Sequence, residues 1–338
     1  MELSKVSKKI LTKLDQLDID KNILNPIANP PKHLIKVMEQ YNREFGKITP
    51  IKIEFEKITK WTKTEVTQFV EGRFLADNTI SNIMKLKYWY NVDFSFGNIK
   101  FAVSKKEKME SVLLQLPHLL KIIKMISSNK KINALLFLTD LKKKWPKGDE
   151  MIPNSVNSGY TYIIGKKIVI FRYEEWEKLL IHEAIHSFNL DQYKLSENKY
   201  FVKYNMFEAI TDFWTVLLHT IYISNMLKQS WKKILLNEYK FMYIQSNYLL
   251  RKIWKINSLK QDNLDIELKK VKEKTNSFSY YVFKFMLFYH INEWKYYPIE
   301  EKKDINQLIK ILNLGYPKIV KLKGLFNSTR MTCYQLLS

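Results

Sequence analysis

The spacing of apolar residues changes character along the chain. Up to about residue 45 it is helical, in two pieces separated by Asn25-Pro26 and Asn29-Pro30-Pro31, because proline disfavours helical geometry in the residue before it. Period-two alternation follows in Ile51-Lys52-Ile53-Glu54-Phe55. It returns in Asn98-Ile99-Lys100-Phe101-Ala102-Val103, after the turn signal Phe96-Gly97-Asn98, and both runs predict strands. Met109, Val112, Leu113, Leu116, Leu119, Leu120, Ile123 and Met125 predict a helix within 105–128, and Asn133 to Leu138 predicts a short buried strand. Tyr160 to Ile164 and Ile168 to Arg172, joined across Gly165-Lys166-Lys167, predict a hairpin. A helix is expected from near Glu174 to about Phe188, and further helices over about 200–226, 231–254, 278–294 and 303–312.

Strands with helices first and helices alone afterwards predict an α+β fold. A small mixed sheet with backing and active-site helices precedes an all-helical C-terminal subdomain, with a cleft between them. The expected boundaries are a mainly helical N-terminal extension over 1–92, the sheet and central helix over 93–195, and the helical subdomain over 196–338. The stretch 142–158, with Pro146, Gly148 and Pro153, is long for a loop and is a candidate functional segment.

Composition narrows the classes. With 338 residues, 46% hydrophobic and 14% aromatic, the chain can bury one large core or two modest ones and is not a disordered protein. No apolar run after Met1 reads as a secretion signal. The most apolar late segment, Phe278 to Ile291, is interrupted by Lys284 and is shorter than the roughly 20 residues of a spanning helix, so no membrane partner is expected. A single cysteine, Cys333, cannot form an internal disulfide and is read as a packing residue, which makes a cytoplasmic, reducing setting the expectation. The net charge of +22 admits nucleic acid, an anionic surface or an acidic protein as partner. Only five of the 56 basic residues are arginine, however, and recognition of phosphates and bases leans on arginine forks. No Cys-His finger, aromatic RNA-binding motif or basic heptad region occurs, so the lysines are read mainly as a solvated surface.

The chemistry is concentrated in His182-Glu183-Ala184-Ile185-His186. Residues four apart lie one above the other on a helix, so the two imidazoles can converge on one ion, while Glu183, about 100° round the helix, can reach a water there as general base. A chain of this composition would carry the pattern by chance about one time in a hundred or less. Glu208-Ala209-Ile210-Thr211-Asp212 repeats the spacing of four among Phe207, Phe213, Trp214 and Leu217. Carboxylates in so apolar a segment need partners. Glu208 can supply a third ligand, and Asp212 can orient a ligand histidine through its free ring nitrogen.

The two motifs together resemble those of the gluzincin, or thermolysin-like, zinc metallopeptidases. The likeness covers roughly 95–295 as an order of elements, and only the ten motif positions are specific. The resemblance implies one Zn²⁺ held by His182, His186 and Glu208, Glu183 as general base, and Asp212 behind a ligand histidine, His182 being favoured. It also implies an oxyanion donor from the C-terminal side, for which Tyr280 and Tyr281 are the candidates ahead of His290. In that family an edge strand binds extended substrate by main-chain pairing. The segment Asn157-Ser158-Gly159-Tyr160-Thr161-Tyr162, about 20 residues ahead of the motif, is similarly placed, with Asn157, Ser158, Gly159 and Tyr160 as the substrate-binding candidates. His33, His118 and His219 are read as structural. Two departures stand out: Phe207 replaces the Asn that usually precedes the ligand Glu, and no Gly-x-Met-x-Asn element of the aminopeptidase branch occurs upstream. They imply a divergent branch, and the lysine and asparagine richness points to a large DNA virus as source. The expected activity is hydrolysis of peptide bonds in a peptide or protein substrate, with an acidic substrate steered by the basic surface as a further expectation. The alternative is a basic protein that binds nucleic acid or an acidic partner and keeps a vestigial metal site.

Overall fold

The computed structural model describes residues 1–70, 75, 78–162, 167–191, 203–293, 305–320 and 329–337. Its elements run β1 (Glu2–Leu3), α1 (Lys5–Asp15), α2 (Lys21–Ala28), α3 (Lys32–Lys47), β2 (Ile53–Lys57), α4 (Lys63–Gln68), α5 (Thr79–Ile83), β3 (Tyr88–Phe94), β4 (Gly97–Val103), α6 (Lys106–Ile126) and β5 (Ile132–Thr139). They continue as β6 (Glu150–Met151), α7 (Pro153–Val156), β7 (Gly159–Thr161), β8 (Lys167–Arg172) and α8 (Trp176–Ser187). The later part is mainly helical: α9 (Phe207–Leu227), α10 (Trp231–Tyr248), α11 (Leu264–Leu268), β9 (Lys272–Glu273), α12 (Lys284–Tyr289) and α13 (Ile305–Leu314), closed by β10 (Leu336–Leu337). The expected α+β architecture is present, with a six-stranded mixed sheet in the N-terminal half.

That sheet has the order β2-β3-β4-β5-β8-β7. β4, β5 and β8 are parallel, while β2, β3 and β7 join antiparallel at the flanks. β5 reads Ile-Asn-Ala-Leu-Leu-Phe-Leu-Thr, a nearly continuous apolar run as a strand covered on both faces requires. Its alternate side chains serve two cores. Ala134, Leu136 and Leu138 join the main core with α6 and α8, and Leu135 and Phe137 join Trp89, Val169 and Phe171 on the opposite face.

Several boundaries differ from expectation. The first 47 residues form three helices, not two, because Pro26 falls inside α2: an Asp20 cap on Asn22 N (2.8 Å) starts that helix and buried Ile23 and Ile27 hold it. The expected division at 92/93 falls within β3, and β2 and β3 extend the same sheet. Ile10, Leu14, Ile23, Leu34 and Met38 share one core with the C-terminal helices, so among the described residues 1–92 is not a separate extension. The stretch 142–158 is partly ordered as β6 and α7, and β6 runs parallel to β9. The hairpin of β7 and β8 is antiparallel as expected, with its turn, 163–166, outside the described residues. The helix expected over 231–254 gives way to a π turn at Leu249–Ile253, and the one over 278–294 begins as a π turn at Phe278–Phe283. Among the described residues no helix is long and apolar enough to cross a membrane.

α8 packs against β7, β8 and α9, and every one of its residues except His186 is buried. Such a helix normally reads as apolar all round. This one carries Glu177, Lys178, His182 and Glu183, each of which needs a compensating partner.

Candidate metal centre

His182 and His186 project from α8 toward the first turn of α9, where Glu208 sits. The Nε2 atoms of the two histidines are 3.1 Å apart, and Glu208 Oε2 lies 3.2 Å from His186 Nε2 and 3.4 Å from His182 Nε2. Donors bound at about 2.0–2.2 Å in tetrahedral directions stand roughly 3.3–3.6 Å from one another, so this triangle is close to the size one ion requires. Two imidazoles and a carboxylate directed at a common point make a group that could hold a metal ion.

Each histidine is backed by a carboxylate through its other nitrogen. His186 Nδ1 contacts Asp191 Oδ2, and Thr211 Oγ1 reaches the same oxygen at 3.5 Å. His182 Nδ1 faces Asp212 Oδ1 at 3.6 Å, a little beyond hydrogen-bond range, and neither atom has a hydrogen-bond partner elsewhere among the described residues. Asp212 in turn meets two buried ammonium groups: Lys178 Nζ at 3.4 Å from Oδ1, and Lys284 Nζ on Oδ2. Burial disfavours the ionised form of Asp212, but Lys178 and Lys284 hold its carboxyl far below the usual range. Burial brings the Lys284 ammonium down to about 8, with Asp212 opposing the shift. Burial likewise disfavours the charged His186 ring and the charged Glu208; their mutual attraction, with Asp191 behind the histidine, overcomes it and raises the imidazole while lowering the carboxyl.

Glu183 follows His182 and faces the edge strand β7, where its Oε2 accepts a hydrogen bond from Thr161 Oγ1 at 2.7 Å. Burial raises its carboxyl above the ordinary range, and His182 and His186 partly offset that. Glu183, the three candidate ligands and Asp191 line a cavity of about 720 Å³, with Asn157, Gly159, Tyr160, Thr161 and Tyr162 on the β7 side and Asn205, Asn276 and Tyr280 opposite.

Of the residues singled out in the sequence, His182, Glu183, His186, Glu208, Asp212 and Tyr280 come together. Tyr280 stands edge-on to His182, with ring centroids 5.9 Å apart. Burial, then the Glu208 and Glu183 carboxylates, push its phenol well above the ordinary value, so it keeps its proton. Tyr281 does not line the cavity: its hydroxyl donates to the Thr329 carbonyl in the core. His290 is also elsewhere, with Nε2 2.7 Å from the Gly315 carbonyl. His219 is buried on α9 outside the cavity, and burial lowers its ring to about 3. Asn157, Gly159 and Tyr160 border the cavity. Ser158 is buried and absent from the wall, although its carbonyl accepts from Phe171 N at 2.8 Å and so holds β7 to β8.

Sequence reasoning missed Asp191, Lys178 and Lys284 as members of the site, and it placed Thr161 on the candidate substrate edge without its contact to Glu183. Lys178 had a legible signal, since it lies four residues before His182 on the same helical face. Lys284 had one too, as a lone charge in an apolar run. Asp191 and Thr161 reach the site from beyond a helix end and from a strand, and no local spacing announces them.

No protein-family model matches the chain, and no solved structure matches it. It is similar to an uncharacterized protein of Acanthamoeba polyphaga mimivirus, at 30% identity over 182 residues. The match takes in 49% of this chain and 45% of the relative, so the chain spans less than half the length of that protein.

Proposed function

We propose that the protein is a zinc-dependent peptidase of gluzincin type, with Zn²⁺ held by His182, His186 and Glu208. The observation that carries this reading is the 3.1–3.4 Å triangle of two imidazole nitrogens and one carboxylate oxygen, beside Glu183 in a cavity of about 720 Å³. Two histidines and a glutamate are a donor set of catalytic zinc, which leaves a coordination position open. Zinc held there supplies Lewis acidity toward a water molecule and the scissile carbonyl.

The protein's own groups account for the remaining steps. Glu183 takes a proton from the attacking water and returns it to the leaving amine nitrogen, and the Thr161 hydroxyl holds one of its carboxylate oxygens in place. Tyr280 donates its phenolic hydrogen to the carbonyl oxygen as charge develops there. β7 pairs only with β8 among the described residues, which leaves the side along the cavity for an extended substrate to add by main-chain hydrogen bonding. Gly159 suits this edge, because a Cβ there would lie 2.7 Å from the Val169 carbonyl oxygen and push the strand off β8.

The charge of +22 supports an acidic protein as substrate, and weakening of its cleavage by salt tests that assignment. The single buried cysteine supports action in a reducing, intracellular setting. The activity is tested with an unstructured peptide library: cleavage is expected to be abolished by a chelator and restored by stoichiometric zinc. Cleavage indifferent to chelation, or none with zinc bound, contradicts the proposal.

A further inference from the structure

Asp212 stands behind His182, yet most of its contacts are with other groups. Lys178 comes from the same face of α8 as His182, one turn earlier, and lies 3.4 Å from Oδ1. Lys284 opens α12 and meets Oδ2. All three side chains are at most 3% exposed. One ammonium would balance one carboxylate, and burying a second is costly unless its geometry serves something. The second charge is accommodated deliberately: Lys178 Nζ also donates to the Met331 carbonyl at 2.6 Å, and buried Glu238 lies within the electrostatic reach of both lysines. Glu238 is itself fixed by Thr332 Oγ1 and by Cys333 N at 3.2 Å.

Each oxygen of the carboxylate therefore faces an ammonium, Oδ2 in a hydrogen bond with Lys284 and Oδ1 at ion-pair distance from Lys178. Lys284 occupies Oδ2, and Lys178 holds Oδ1 from the α8 side, which leaves Oδ1 facing His182 Nδ1 at 3.6 Å. Tyr280 lies within the π turn Phe278–Phe283 and meets the cavity, and Lys284, which follows that turn directly, meets Asp212.

We propose that Lys178 and Lys284 are positioning residues of the metal centre, clamping the Asp212 carboxylate so that it fixes the ring of His182. The inference rests on the zinc reading of His182, His186 and Glu208. It adds that the clamp draws on three separate parts of the chain: α8, the start of α12, and the C-terminal segment through the Met331 carbonyl.

The test is zinc affinity, measured by competition with a chelating dye, across a double-mutant cycle of the full chain: wild type, Lys284→Met, Asp212→Asn and the double variant. Loss of a partner behind a metal ligand typically weakens binding about 10–100-fold. Each single variant is expected to lose affinity on that scale, and the double variant to bind no more weakly than Asp212→Asn alone, because the lysine acts only through the aspartate. A lysine with a merely structural role would give losses that multiply. Multiplying losses, or unchanged affinity in Lys284→Met, overturns the inference while leaving the zinc site standing. Failure of the wild type to take up zinc removes the peptidase reading and this inference together. If Lys284→Met does not fold, Lys178→Met carries the same cycle with the same expectations.

Discussion

Thr161 on the sheet edge donates a 2.7 Å hydrogen bond to Glu183 on the central helix, linking the strand that borders the cavity to the glutamate beside the two histidines. A single hydroxyl therefore holds the proposed base. Thr161→Val keeps the shape of the side chain and removes the donor. We expect kcat to fall about tenfold, on the scale of a lost hydrogen bond to a charged group, with zinc content unchanged and Thr161→Ser close to wild type. Steady-state kinetics beside metal analysis checks this, and an unaltered kcat in the valine variant would show that the contact does not position the base.

Adjacent tyrosines should separate cleanly. Tyr280 borders the cavity and Tyr281 donates to the Thr329 carbonyl in the core. Removal of a donor to developing negative charge costs about 10²–10³ in kcat, so Tyr280→Phe is expected to lose activity on that scale while its melting temperature holds. Tyr281→Phe should do the reverse, losing about 1 kcal/mol of stability with kcat retained. Kinetics and thermal melts of the pair decide it, and loss of catalysis in the Tyr281 variant alone would reverse the assignment.

The sequence carried the candidate metal ligands because each half of the group is local. His182 and His186 are one helical turn apart, and Glu208 and Asp212 repeat that spacing in an apolar segment where carboxylates need a reason to be. What was not legible depends on tertiary contacts. Lys284 was seen only as a charge interrupting an apolar run, since its partner lies 72 residues away. Asp191 meets His186 from just beyond the end of α8, and Thr161 meets Glu183 from a three-residue strand. The fold shows the same division. β4 and β5 are apolar enough to declare themselves, whereas β3 carries Asn91 and Asp93, whose side chains bond with each other and with Asn98. That polar cluster hid a strand and placed a domain boundary inside it.

Glu177 gives the protein a pH dependence of its own. Burial pushes its carboxyl up from 4.5 to about 8, with backbone N–H groups of Glu177 and Leu336 and the charge of Arg330 opposing the shift. A group whose folded pKa exceeds its unfolded one holds its proton more tightly in the folded state. Its contribution is fully present below 4.5 and is lost as pH rises toward about 8. Glu177→Gln should flatten the decline of stability across that window. Denaturant unfolding at a series of pH values checks the slope, and identical slopes in the two proteins would place the proton elsewhere.

One bound zinc ion and Glu183 are proposed to cleave peptide bonds together. The most direct measurement pairs metal analysis with peptide-library cleavage for wild type and Glu183→Gln, a variant that keeps all three candidate ligands. One zinc per chain is expected in both proteins, with cleavage lost by about 10² or more in the glutamine variant alone. Wild-type protein that binds no zinc, or a glutamine variant that cleaves as wild type does, would contradict the proposal.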